Sequence, residues 1–221
     1  MNRPVAQLNQ DHSHLSGKPP NRRERRRTEL RERLARSALA LFVECGFAAT
    51  TIEDITNAAD VGKGTFFNYF PGKDHILANF ARLEVERVRR FVSATIHSRD
   101  PIGQVLYRLA LGLTEECRRN PAVVPNILIP FFSSGYCRQE MAAALEKDRS
   151  SIAELIIGRQ KRGEVRDDLS PEEVALQFQR ALFGTVALWS LGSSKTLSDC
   201  LKEMSCTLCS GIKAQKDGSR E

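Results

Sequence analysis

The chain has 221 residues, 41% of them hydrophobic and 27% charged, with a formal net charge of +6. That supplies a real core for one domain, or for a small domain plus a larger one, and a mild preference for polyanionic partners. No run is long and apolar enough for a membrane span, and residues 1–21 lack the apolar centre of a secretory signal, so the expected location is a reducing cytoplasm with no membrane partner.

Residues 1–21 are polar, contain Pro19-Pro20 and show no periodicity, which predicts a disordered arm. Helical spacing then begins at Arg22: Leu30, Leu34, Ala38, Leu41, Phe42 and Cys45 share a face, and Gly46 closes the helix. Its start, "RRERRRTELRERLAR", holds eight arginines against three glutamates. The rigid guanidinium fork suits phosphate, so this stretch is either a minor-groove arm or a solvated basic helix start. "ATTIEDITNAAD" reads as a short helix. Thr50 or Thr51 caps it, Glu53 and Asp54 oppose the positive end, and Ile52, Ile55 and Ala59 face inward. Asp60-Val61-Gly62 breaks it, a third helix is predicted over 63–70, and Pro71-Gly72 stops that one.

A long helix follows from about 74 to 99, with Ile76, Leu77, Phe80, Leu83, Val88 and Phe91 as core candidates. Helices over 101–119 and 122–129 are separated by Asn120-Pro121, and another over 131–162 follows Pro130. Ser170-Pro171-Glu172-Glu173 combines a cap, a first-turn proline and two acids, the expected start of "EEVALQFQRALFGTVALWSLG". A last helix covers 197–214, before a polar tail at 215–221. Nothing alternates with period two, so the predicted fold is all-α. The expected domains are 22–73, a three-helix helix-turn-helix unit, and 74–214, a larger helical unit.

"VGKGTFFNYFPGKD", at 61–74, admits two chemistries. A phosphate-cradling loop needs a glycine five positions before its Gly-Lys pair and a strand leading in. Asn57, inside a helix, occupies that position here, and Gly64 rather than Ser or Thr follows Lys63. Two short helices joined by a tight turn instead make a helix-turn-helix whose second helix enters a major groove. Phe66 and Phe70, four apart, anchor that helix while Lys63, Phe67 and Asn68 face outward.

With those residues in place, "GFAATTIEDITNAADVGKGTFFNYFPGKDHIL" resembles the signature of the TetR family of bacterial transcriptional repressors. The resemblance implies that Thr51 touches backbone phosphate and that Lys63 and Gly64 open the recognition helix. It places Thr65, Asn68 and Tyr69 at phosphates and bases, and Lys73 at phosphate. Asn68 and Lys63 are the expected base readers, since an amide pairs with adenine and an ammonium with guanine. Three positions depart from the pattern. Asp60 stands for a turn glycine, which aspartate tolerates. Gly62 stands for a frequent serine. Phe67 stands for a common tyrosine, leaving an apolar contact to sugar or a thymine methyl.

The family layout implies a ligand-binding and dimerisation domain after residue 75. A homodimer would set two recognition helices about 34–36 Å apart on a palindromic double-stranded DNA operator, and a small effector would release it. Dimer-interface candidates are Phe178, Leu182, Trp189, Leu197, Leu201 and Leu208, with closure of the subunit core as the alternative to the favoured dimer face. Effector-pocket candidates are Tyr107, Phe132, Tyr136, Cys137, Met141, Phe178 and Trp189, whose character points to an apolar or aromatic molecule. "CTLC", Cys206 to Cys209, lacks a second ligand pair for zinc; a redox switch is the other reading. No nucleophile and base pair appears, so no catalysis, cofactor or metal is expected. Two competing functions share this pattern: a DNA-binding factor without an effector, and a helical adaptor for another protein.

Overall fold

A computed structural model describes residues 21–132 and 134–213; the predicted arm apart from Asn21, and the predicted tail, lie outside them. Among the described residues the chain is all-α with no strand: α1 (Arg22–Cys45), α2 (Ile52–Ala58), α3 (Lys63–Phe67), α4 (Lys73–Thr95), α5 (Ile102–Leu113), α6 (Glu115–Arg119), α7 (Gly135–Gln160), α8 (Pro171–Ser190) and α9 (Leu197–Ile212). They form two compact units. The first takes the described residues up to Asn79 together with Pro125–Cys137; the second takes Phe80–Val124 and those from Arg138 onward.

In the first unit α1 starts with a capping box: Asn21 Oδ1 accepts from the Glu24 amide at 2.9 Å, while Glu24 Oε2 accepts from the Asn21 amide at 2.9 Å. Leu34, Ala38 and Phe42, one helical face, are fully buried. Gly46 ends the helix at φ 87°, a backbone that side chains rarely adopt, and its amide returns to Phe42 O at 3.0 Å. The segment Pro125–Cys137 joins this unit through specific bonds. Asn126 Nδ2 donates to Val43 O (2.9 Å), Ser134 Oγ donates to Asp74 Oδ2 (2.6 Å), and Tyr136 stacks on His75 with centroids 4.3 Å apart.

The predicted helix over 122–129 is replaced by a π-helical turn, Val124–Leu128, and a 3-10 turn, Ile129–Phe132. Pro125 and Pro130 lie in these turns and withhold the amides that an α ladder needs. The helix expected from 131 accordingly begins at Gly135, where Ser134 Oγ accepts from the Cys137 amide at 3.4 Å. The helix expected over 101–119 divides at Thr114, whose hydroxyl donates back to Ala110 O at 2.7 Å.

In the second unit α9 packs against α5 and α8. Gly103 makes the α5 approach possible, because a Cβ there would stand 3.2 Å from Cys209 Sγ. Arg159, 1% exposed, ties four chain segments together. Its guanidinium donates to Asp100 O (2.5 Å), Glu164 Oε2 (2.8 Å) and Thr95 O (3.5 Å). Glu164 in turn accepts from the Ile102 amide at the start of α5. Ser170 caps α8 by accepting from the Glu173 amide at 3.3 Å, with Pro171 in the first turn.

Candidate nucleic-acid interface

The helix pair is set by one side-chain cap, on α2, and one residue in a left-handed backbone. Thr51, not Thr50, caps α2: its Oγ1 accepts from the Asp54 amide (3.1 Å) and donates to Asp54 Oδ2 (2.7 Å), holding that carboxyl below the usual range. Thr50 is buried, its hydroxyl donating to Gly46 O at 2.8 Å. Asp60 takes φ 50°, the left-handed turn where a glycine would be easiest, and the Val61 amide returns to Thr56 O at 3.0 Å. Gly62 then starts α3 with no side-chain cap.

α3 spans five residues rather than the predicted eight; Asn68, Tyr69 and Phe70 continue it as a turn whose amides bond Thr65 O and Phe66 O at 2.9–3.2 Å. Phe66 and Phe70 are buried, with ring centroids 6.0 Å apart. That anchor leaves Lys63, Gly64, Phe67 and Asn68 exposed and Thr65 and Tyr69 half-buried, with Thr51 exposed at the α2 end. Phe67 shows 54% of its surface, its ring edge-on to buried Phe66 with centroids 5.5 Å apart. Arg22, Arg23, Arg25, Arg26 and Arg27 are exposed as well, and among the described residues they form no ion pair.

Two lysines carry information the sequence did not. Lys63 Nζ pairs with Glu53 Oε2 at 2.8 Å, both side chains more than half exposed, so a DNA group has to displace only a weak surface pair. Lys73, expected at phosphate, directs its ammonium inward. Nζ donates to Phe47 O (2.6 Å), Thr50 O (2.7 Å) and Ala48 O (3.2 Å) and lies 4.6 Å from the Phe47 ring centroid. Desolvation lowers its pKa, partly offset by Asp74. All three ammonium protons are engaged, so Lys73 clamps the loop between α1 and α2, and a phosphate contact would require breaking that clamp.

The second-unit expectations need sorting. Phe178, Leu182, Leu197 and Leu201 are at most 8% exposed within one subunit, as the core-closing alternative has it. Trp189 and Leu208 are half-buried. The open apolar surface is elsewhere on α8: Leu188 and, just beyond it, Leu191 are 71% and 82% exposed, beside exposed Gly184 and Ala187. Periodicity marks both faces as apolar and does not say which one the subunit covers itself. Among the pocket candidates, Phe132, Tyr136 and Cys137 fall in the first unit, and Tyr107, Met141, Phe178 and Trp189 in the second. Phe132 is 62% exposed, Cys137 and Phe178 are buried, and Tyr107, Tyr136, Met141 and Trp189 are half-buried. None of the six cysteines is in a disulfide; burial pushes the Cys209 thiol up to about 11, which works against the thiolate a redox switch needs. Among the described residues no group of His, Cys, Asp and Glu is placed to hold a metal ion, and no helix is long and apolar enough to cross a membrane.

A short helix set on a buried phenylalanine pair, following α2 after a tight turn, has the layout of a helix-turn-helix. The family profile described as bacterial regulatory proteins, tetR family, matches residues 34–79. The HTH-type transcriptional repressor DhaR of Mycobacterium sp. (strain GP1) is 26% identical over 151 residues, 67% of this chain and 76% of its own. The repressor KstR of Rhodococcus jostii (strain RHA1) is 37% identical over 60 residues, 27% of this chain and 28% of its own. Thermus thermophilus FadR, a TetR-family repressor solved with lauroyl-CoA, aligns with TM-score 0.63 and 26% identity over 86% of this chain and 99% of its own. Bacillus halodurans FadR, a fatty acid degradation regulator, shares the fold at TM-score 0.71 and 16% identity over 90% of this chain and 100% of its own. Over residues 34–79 the chain is similar to the tetR family of bacterial regulatory proteins, and over most of its length it is similar to transcriptional repressors.

Proposed function

We propose that the protein is a homodimeric repressor that reads an inverted-repeat operator through α3 and the turn after it, and that a small molecule bound in the second unit releases it. The exposed row Lys63, Phe67 and Asn68, held out by buried Phe66 and Phe70, carries the reading. Thr51, Thr65, Tyr69 and the Gly64 amide position the helix on phosphate, while Asn68 and Lys63 read base edges. Phe67 takes an apolar contact to sugar or a thymine methyl.

Twofold reading needs a fixed partner, and Gly184, Ala187, Leu188 and Leu191 supply a self-complementary patch with small residues for close approach. Leu188→Glu with Leu191→Glu is expected to give a monomer by analytical ultracentrifugation and to lose operator binding; a dimer that persists would move the interface elsewhere. The effector reading draws on the FadR relatives, of which the Thermus protein was solved with lauroyl-CoA and the Bacillus subtilis protein with stearoyl-CoA. Those are ligands with a long apolar body, as the aromatic and aliphatic interior here also favours.

A further inference from the structure

Two carboxylates of the second unit each keep one buried oxygen without a hydrogen-bond partner among the described residues. Asp148 of α7 is 8% exposed, and its Oδ1 is buried with no hydrogen-bond partner. Glu84 of α4 places one oxygen 3.3 Å from Arg87 Nη1, while the other, Oε2, is buried and unpartnered. The two are close enough that the Asp148 charge acts on Glu84, and Glu116 of α6 adds to it. A buried carboxylate oxygen without a donor costs free energy that a fold avoids unless something else supplies the donor. Each sits in an apolar stripe of its own helix. Buried Ala81 and Val88 flank Glu84, and buried Ala144 and Ile152 flank Asp148.

Resting on the effector-responsive reading above, we infer that Glu84 and Asp148 form the polar end of the effector site, and that the effector is an amphiphilic organic amine. Its protonated nitrogen donates to the two orphan oxygens while its apolar body lies along the flanking aliphatic residues. An ammonium brings both the missing donors and the missing charge; a carboxylate or phosphate head would meet two like charges instead. In this respect the site differs from what an acyl-CoA head needs.

The proton balance follows from the neighbours. Burial raises Glu84 to about 7, with Arg87 pulling it down and Asp148 and Glu116 pushing it up; burial alone raises Asp148 to about 7. The nearby Cys117 thiol is pushed up to about 11, so it stays neutral throughout. Carboxyls with raised folded-state pKa values stabilise the ligand-free protein while protonated. That contribution is lost as pH rises from the unfolded values near 4 to the folded values near 7. The amine binds the ionised pair, so its affinity rises over the same window and binding near pH 7 releases protons.

Calorimetry on the full chain with three primary amines (4-phenylbutyl, octyl and naphthylethyl), each with its matched alcohol and carboxylic acid, tests this. At least one amine is expected to bind about tenfold or more tightly than its alcohol, with the acid weakest. Asp148→Asn and Glu84→Gln are expected to erase that preference, bringing the amine's affinity down to within about twofold of its alcohol's. In the ligand-free protein the same variants are expected to raise Tm near pH 8 and to flatten its decline with pH, relieving a cost present only without ligand. No amine bound, a preference that survives both variants, or a Tm near pH 8 that stays level or falls would overturn the proposal. None of these measurements involves DNA, so their failure leaves the operator reading standing, and failure of operator binding leaves them readable.

Discussion

The two units dispose of their charge in opposite ways. In the first, the groups assigned to DNA stand in solvent: Lys63 holds only an exposed pair with Glu53, and five arginines at the start of α1 have no ion-pair partner among the described residues. In the second, Arg159, Glu84 and Asp148 are drawn into the interior, the first bonded through both terminal nitrogens with Nε left without a partner, the other two each with an orphan oxygen. An exposed ion gains little from its own chain and stays available to a partner, whereas a buried one is either fixed by the fold or waits for something that enters. Where a charge lies therefore tells which surface meets a macromolecule and which interior meets a small molecule.

That contrast can be broken at several points. The largest effect is expected from Arg159→Met, which strands Glu164 and the carbonyls of Thr95 and Asp100; chemical denaturation should show a loss of about 3–5 kcal/mol. Lys73→Met should cost about 1.5–3 kcal/mol of stability by freeing three loop carbonyls. Its DNA affinity should fall with the slope of log K against log salt unchanged; a slope reduced by about 0.9 would return Lys73 to the phosphate. Asn68→Ala should cost about 1–3 kcal/mol at one base position of each half-site and little elsewhere, as competition binding with single-substituted operators would show. Glu53→Gln is the smallest. Freeing Lys63 and removing a negative charge from the DNA face should tighten binding by at most about 1 kcal/mol, measured by anisotropy at low salt.

Much of the first unit was legible because its punctuation is local. Gly46, Asp60, a cap at Thr50 or Thr51 and the Phe66–Phe70 spacing each state a need that neighbouring residues decide, the structure alone choosing Thr51 for the cap. The same is true of Ser170-Pro171 in the second unit. What depends on distant contacts was not legible. Glu84 stands among charged residues in "RLEVERVRR" and Asp148 in "EKDRSS", and neighbouring residues alone do not mark either carboxyl as buried. Leu197 and Leu188 belong to equally apolar stripes, yet one is buried by its own subunit and the other is open. Lys73 followed the family pattern to phosphate, while three carbonyls from 23–26 residues upstream took its protons.

The central claim is that two copies of α3 read base edges one helical turn apart. Selection of bound genomic fragments by the full chain, run in parallel with Asn68→Ala, tests it most directly. The account predicts an enriched inverted repeat with half-site centres about 10–10.5 base pairs, or a multiple of that, apart, and loss of preference at one symmetric pair of positions in the variant. Fragments with no shared repeat, or the same repeat enriched to the same degree by the variant, would contradict it.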